Sequence, residues 1–440
     1  MSVANVVSAL RWCGAIVLIA YSIATAAAEP PSGAEGVYAS APPRLLQIRT
    51  LVAGGGRQTS TGSGFLVSAD GLAITNYHVV SDVALEPKTY RLEYTAADSS
   101  HGDVTLLAVD LPNDLALVRV DKQDAPFFSF DKAALDSTLQ KGERLYSLGN
   151  PLDLGFTIVE GTYNGLVEHS YNEHIHFTGA LNPGMSGGPA VDPLGQVVGV
   201  NVATRRDRQL ISFLVPARFA AALLARGRTQ HATPEDLRKD VIAQLGSWRA
   251  ALYGSLAEQG FHAESFGPYQ APESQASWFE CWSQTNASAS PKPRASINTT
   301  SCTADASVFI ASDLDTGAVQ ISHSYFKSSD LNRFQFANIL TPKAQPFLSL
   351  GGPYRKWYTP QRCHEDFVSV APASSHPPLR VMWCAQGYRE FEGLYDVVLV
   401  AVTQDQGDEA LVSRLSLQAT GYDDAVKLGR RFLEGLQVGR

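Results

Sequence analysis

Three short segments of the 440-residue chain carry side chains suited to nucleophilic catalysis. Asn182-Pro183-Gly184-Met185-Ser186-Gly187-Gly188-Pro189 sets one serine among glycines. A serine hydroxyl that attacks a carbonyl needs a fixed position and N–H donors aimed at the developing oxyanion. Flanking glycines allow backbone conformations that a side chain would block. The N–H groups of Gly184 and Ser186 are the expected oxyanion hole, and one such donor contributes ~3 kcal/mol to a transition state. Thr75-Asn76-Tyr77-His78-Val79-Val80 offers a histidine, expected at the end of an apolar strand. Asn113-Asp114-Leu115-Ala116-Leu117-Val118 offers an aspartate at the start of another. A base that takes the serine proton and an acid that fixes the base's tautomer are the partners this chemistry requires.

Each segment alone has an ordinary explanation. A glycine-flanked serine can be a turn, and a single histidine can be a satisfied core residue. Together they stand in the order His, Asp, Ser, which differs from the subtilisin and α/β-hydrolase orders. Asp110 rivals Asp114 for the acid, but it lacks the following Leu-Ala-Leu-Val strand pattern. The competing reading from another class is a binding or chaperone protein on the same scaffold, with the triad inactive or latent.

These segments resemble the trypsin-like (chymotrypsin-fold) superfamily, and within it the bacterial HtrA-type, DegP-like serine proteases. That group carries a T-N-x-H-V segment, a D-hydrophobic-A-L-hydrophobic segment and N-P-G-N-S-G-G-P; here Met185 stands before the serine. The resemblance extends through Gly64-Phe65-Leu66-Val67, Gly195 to Asn201 and Phe213-Leu214-Val215-Pro216, roughly 40% of the chain. It implies two perpendicular six-stranded barrels with the site between them, and no metal or organic cofactor. Val79-Val80 stand where the animal digestive enzymes carry a disulfide. No Gly-Leu-Gly-type carboxylate-binding loop of a PDZ module is recognisable after residue 230.

The segment leading to the nucleophile, Thr178 to Leu181, should wall the pocket for the residue before the cut. Ala180 and Leu181 carry no charge, so cleavage after small or medium apolar residues is expected. Asn201 and Val202 could pair with substrate backbone as an added strand. Arg205, Arg206 and Arg208 read as a solvated hairpin tip. His169, His174 and His176, with Glu168 and Glu173, read as a polar hairpin rather than a metal site.

Positioning such a site takes a β-rich scaffold, and the sequence supplies one. From Leu45 to about Val215, short apolar runs alternate with Gly, Asn and Asp turns. The expected fold is an all-β double six-stranded barrel followed by a smaller α+β C-terminal domain. The expected divisions are a signal peptide at 1–28, a protease domain at 40–228, a helical connector at 229–262 and a domain of unknown function at 263–440. In the connector, Leu237, Val241, Leu245, Trp248 and Leu252 recur at helical spacing.

Arg11, the apolar run Ala15 to Ala20 and the small residues Ala24 to Ala28 have the order of a cleaved secretory signal. A periplasmic or secreted protein follows, touching a membrane only if that segment stays uncleaved. Beyond the signal, four cysteines remain: Cys281, Cys302, Cys363 and Cys384. An oxidising compartment allows two disulfides. Cys281–Cys302 and Cys363–Cys384 are the expected local pairs among three possible connectivities. Trp248, Trp278, Trp282, Trp357 and Trp383 fall outside the barrels and suggest a core of large rings more than a binding surface. The formal net charge of -8, with 45% hydrophobic and 18% charged residues, argues against nucleic acid. The expected partners are protein or peptide substrates; the oligomeric state is not legible.

Overall fold

The computed structural model describes residues 33–202, 212–228, 233–304, 306–328, 330–346, 356–369, 378–403 and 407–438. The signal segment and the Arg205–Arg208 cluster lie outside the described residues.

The first barrel is built from β1 (Leu45–Val52), β2 (Gln58–Leu66), β3 (Leu72–Asn76), β4 (Tyr90–Ala96), β5 (His101–Asp110) and β6 (Leu115–Val120), closed in the order β1-β2-β3-β6-β5-β4. The second uses β7 (Arg144–Gly149), β8 (Thr157–Leu166), β9 (Ile175–Phe177), β10 (Pro189–Val191), β11 (Val197–Val202) and β12 (Ser212–Pro216), closed as β10-β11-β12-β9-β8-β7. Every neighbouring pair is antiparallel. The expected double-barrel fold is therefore present.

Strands such as Leu115–Val120 are buried on both faces, which explains their near-continuous apolar sequence. Ala116, Val118 and Val120 join one core; Leu115 and Leu117 join another that includes the second barrel. Among the described residues, four α-helices accompany the barrels: α1 (Ala34–Ser40), α2 (Tyr77–Leu85), α3 (Lys132–Leu135) and α4 (Ala217–Gly227). The expected connector helix is α5 (Pro234–Gln259), opened by a Thr233–Asp236 capping box. Its Leu237, Val241, Leu245, Trp248 and Leu252 are all buried, as their spacing predicts.

The C-terminal region contains β13 (Phe261–Phe266), β14 (Tyr269–Ser274), β15 (Phe279–Thr285), β16 (Ala295–Ala304), β17 (Val308–Ala311), β18 (Leu314–Thr316) and β19 (Val319–Ser328). After α6 (Arg333–Ala344) come β20 (Arg362–Val368), β21 (Leu379–Gly387), β22 (Tyr395–Val402), β23 (Glu409–Thr420), α7 (Tyr422–Glu434) and β24 (Gln437–Val438). Seven of the strands form one antiparallel sheet, β15-β16-β19-β23-β22-β21-β20. Each disulfide joins directly paired residues, Cys281 with Cys302 on β15–β16 and Cys363 with Cys384 on β20–β21. Both edge hairpins of the sheet are thus cross-linked. Trp248, Trp278 and Trp357 are buried, whereas Trp282 is 71% exposed.

This region does not stand apart from the barrels. One continuous apolar core contains Leu46, Tyr77 and Val118 of the first barrel side, Leu245 of α5, and Val308, Ile310, Ile321 and Leu415 of the C-terminal strands.

Candidate active site

His78 is the second residue of α2, not the end of a strand as expected. β3 stops at Asn76, which turns the chain into the helix with an extended backbone. Asp114 occupies the turn between β5 and β6 at φ 52, a left-handed conformation that aspartate tolerates better than most residues. Its backbone carbonyl accepts from Tyr77 N–H at 3.0 Å and from the Asn76 side-chain amide at 2.8 Å. The turn and the helix start are therefore fastened together before the side chains meet.

The Asp114 carboxylate then grips His78 at two points. His78 N–H donates to Oδ1 at 2.8 Å, and Nδ1 lies 2.6 Å from Oδ2. An ionised carboxylate only accepts, so the proton belongs on Nδ1 and Nε2 keeps its lone pair. The side chains keep 24% and 19% exposure. Burial pulls the imidazole pKa down, but the charge and hydrogen bond of Asp114, with the charge of Asp315, outweigh it and hold the ring above its ordinary value. Asp110, the rival acid, is bound instead to Asn113.

Ser186 is buried, 4% exposed, on the loop before β10. Its carbonyl accepts from Ser63 N–H at 2.7 Å, tying the loop to β2 across the barrel interface. Ser63 Oγ donates to the Gly184 carbonyl at 2.7 Å and accepts from Asn150 N–H at 2.9 Å. The Met185 carbonyl accepts from the Asn201 side-chain amide at 3.2 Å. A trans peptide points its N–H opposite to its carbonyl, so Ser186 N–H faces away from Asn201. Among the described residues, the N–H groups of Gly184 and Ser186 donate to no backbone carbonyl.

The glycines explain how the loop fits. Gly184 has φ 95 and Gly187 φ 85, both left-handed. A Cβ on Gly187 would lie 2.2 Å from the Ser63 carbonyl oxygen and 2.9 Å from Asn76 N. The segment after the serine therefore runs against the residues leading to His78. Likewise, a Cβ on Gly62 would meet both Val79 and the Ser186 carbonyl. Ser186 and the start of α2 thus share one small region. Among the described residues no hydrogen bond joins Ser186 Oγ to His78.

The remaining expected residues divide. Ala180 is exposed. Leu181 is buried in the second-barrel core, and its N–H donates to Ser212 Oγ at 3.1 Å. Asn201 requires a correction: it does not offer its backbone to substrate. Its N–H donates to Gly188, its carbonyl accepts from Gly187, and its side chain bonds Ser147, Leu148 and Met185. It is a fully buried brace for the serine loop. Val202, half-buried, pairs with Phe213.

His169 turns to the Ser277 carbonyl at 2.5 Å, and the His174 and Phe213 ring centroids lie 6.0 Å apart. Among the described residues, the one gathering of three possible metal ligands is Glu273 with Cys281 and Cys302, whose sulfurs form a disulfide. Ser63 was missed by sequence reasoning, although its setting between Gly62 and Gly64 marks a close backbone approach.

A family model described as the trypsin-like peptidase domain matches residues 62–200. The match runs from β2 to β11 and takes in His78, Asp114 and Ser186. Over 187 residues the chain is 32% identical to a putative serine protease HhoB from a Synechocystis species, covering 40% of this chain and 43% of that protein. Over 152 residues it is 34% identical to a probable periplasmic serine endoprotease, DegP-like, from Chlamydia pneumoniae, covering 33% of this chain and 29% of that protein. The chain spans less than half the length of these two relatives. A solved serine endoprotease from Yersinia pestis is 22% identical, with a TM-score of 0.39 over 48% of this chain and 68% of that one.

Proposed function

We propose that the chain is a serine endopeptidase working through a His78–Asp114–Ser186 triad. The observation that carries this reading is the doubly bonded His78–Asp114 pair beside the glycine-framed Ser186 loop. His78 Nε2, left unprotonated by the Nδ1 pairing, removes the Ser186 proton. Ser186 Oγ attacks the scissile carbonyl, and the N–H groups of Gly184 and Ser186 receive the oxyanion. The imidazolium returns its proton to the leaving amine, and Asp114 stabilises its charge. Water, deprotonated by the same imidazole, then hydrolyses the acyl-enzyme.

Only neutral His78 can act as the base, so activity rises with pH through the raised His78 value. The half-rise falls above the ordinary histidine value of about 6.5. Exposed Ala180 and the absence of charge at Leu181 support cleavage after small or medium apolar residues. Two disulfide-bonded pairs support an oxidising compartment, periplasmic or secreted. No described helix is long and apolar enough to cross a membrane.

The test is incubation of the full chain and its Ser186→Ala variant with an unfolded model protein, with the fragments sequenced by mass spectrometry. Fragments made by the wild type alone, ending mainly in Ala, Val, Leu or similar residues, are expected. Cleavage that persists in the variant contradicts the assignment, and ends dominated by Lys or Arg contradict the specificity.

A further inference from the structure

We propose that the β17–β18 hairpin of the C-terminal region is part of the reaction centre, with Phe309 and Asp315 acting as positioning residues for His78. The claim rests on the peptidase reading and adds to it a second, distant part of the chain.

The hairpin's alternation sets up the contact. Val308, Ile310, Leu314 and Thr316 are buried, whereas Phe309 is half-buried and Asp315 exposed. Phe309 and Asp315 are direct cross-strand partners, so they share one face of the hairpin. That face meets α2. The Phe309 ring stands edge-on to His78, centroids 5.8 Å apart, and edge-on to Tyr77 at 6.3 Å. Tyr77 OH donates to the Ile310 carbonyl at 3.1 Å, fixing the depth at which the hairpin sits. Burial and the charges of Asp114 and Asp82 hold the Tyr77 phenol far above its ordinary pKa, so it remains a donor.

The hairpin is braced from behind as well as in front. Thr316 Oγ1 lies 2.5 Å from Tyr388 OH, which in turn donates to the buried Asp396 at 2.7 Å. At the turn, Asp313 accepts from Trp357 Nε1 at 2.7 Å. The preceding Lys356 reaches Glu86, just beyond α2, at 2.9 Å. Two successive residues therefore clamp the hairpin and the His78 helix together. A ring edge against one side of the imidazole and Asp114 against Nδ1 leave the base little room to turn. Such orientation is a large part of catalytic rate.

Charge follows the same geometry. The charged groups whose fields reach His78 are Asp114 from the β5–β6 turn and Asp315 from β18. Asp315 favours the imidazolium, adding to the larger effect of Asp114. It thereby helps the base accept the serine proton and adds to the upward displacement of the acid limb that Asp114 begins.

The experiment uses the full chain as wild type, Asp315→Asn, Phe309→Ala and Phe309→Tyr. The rate of Ser186 labelling by a fluorophosphonate is followed against pH, with thermal unfolding as the control for folding. Asp315→Asn should move the acid limb to lower pH in protein that the unfolding control shows to be folded. Phe309→Ala should slow plateau labelling about tenfold to a hundredfold, and Phe309→Tyr should restore most of it. Unchanged labelling and pH profile in both Asp315→Asn and Phe309→Ala overturns the proposal, as does faster labelling, which would make the hairpin a cover. An NMR titration of the His78 ring in Ser186→Ala, with and without Asp315→Asn, separates the two readings. If the wild type is never labelled, the peptidase reading falls. A lower His78 midpoint with Asp315→Asn still supports the hairpin contact, and an unmoved midpoint overturns it.

Discussion

The two barrels repeat one strand order, yet they hold their shares of the site by different means. In the first, the functional side chains sit outside the sheet, His78 on a helix and Asp114 in a turn. Their support comes from side-chain bonds and from apolar packing shared with α5 and the C-terminal strands. In the second, Ser186 sits on a loop held almost wholly by backbone carbonyls and by the buried Ser63 and Asn201 side chains. Among the described residues, its core includes none of the C-terminal region. The nucleophile side is thus a glycine-dependent construction braced from within the two barrels. The base side depends on residues more than 200 positions away in sequence.

The comparison breaks most sharply at Asp114. Asp114→Asn keeps the shape but reverses the tautomer logic at Nδ1, and turnover should fall about 10⁴-fold with the fold intact. A fall of less than tenfold in a kinetic assay would mean the base is held mainly by packing. On the other side, Gly187→Ala forces a side chain into a left-handed position and into the Ser63 carbonyl. The backbone strain alone costs about 1–2 kcal/mol. Thermal unfolding should shift down and labelling should fall together, because the loop and the barrel interface share those bonds.

The C-terminal edges should affect stability without touching the nucleophile loop. Each disulfide closes a loop with a sequence separation of 21, worth about 3 kcal/mol on the chain-entropy account. Replacing both residues of either pair with serine should lower the unfolding midpoint and leave the folded protein's labelling rate unchanged. A changed rate would mean the sheet edges reach the site.

A subtler probe is pH. His323 is buried between Phe266 and Phe432, bonded to Ser413 and the Pro272 carbonyl, and its pKa is pushed down to about 4. The unfolded chain takes up this proton near pH 6.5 and the folded chain does not. Stability is therefore full above that pH and falls as pH drops towards 4, by at most roughly 3 kcal/mol. His78 acts in the opposite sense, since its raised value makes a contribution that is lost as pH rises through it. Denaturant titrations of His323→Gln should show a flatter profile between pH 4 and 6.5 than the wild type.

Much of this was legible in the sequence, for identifiable reasons. Strands such as Leu115–Val120 and the α5 stripe from Leu237 to Leu252 announce themselves by period and by turn residues. The disulfide pairs followed from nearness in sequence. The helix at His78 did not, because Tyr77-His78-Val79-Val80 is rich in β-branched and aromatic residues and reads as continued strand. Tertiary packing of Tyr77, Val79 and Val80 overrides that preference. Asn201 was expected to offer its backbone to substrate, yet burial at a barrel seam commits both its backbone and its side chain to the serine loop and its neighbours. Phe309 and Asp315 were invisible, since nothing local in two short strands more than 200 residues from His78 signals which surface they will meet.

The most direct measurement is the site of covalent modification by a fluorophosphonate, read by peptide mass spectrometry on the full chain. One adduct on Ser186, lost in His78→Ala while that variant remains folded, is the predicted result. An adduct on another residue, or none on folded protein across pH 6 to 9, would contradict the assignment of a His78–Asp114–Ser186 centre.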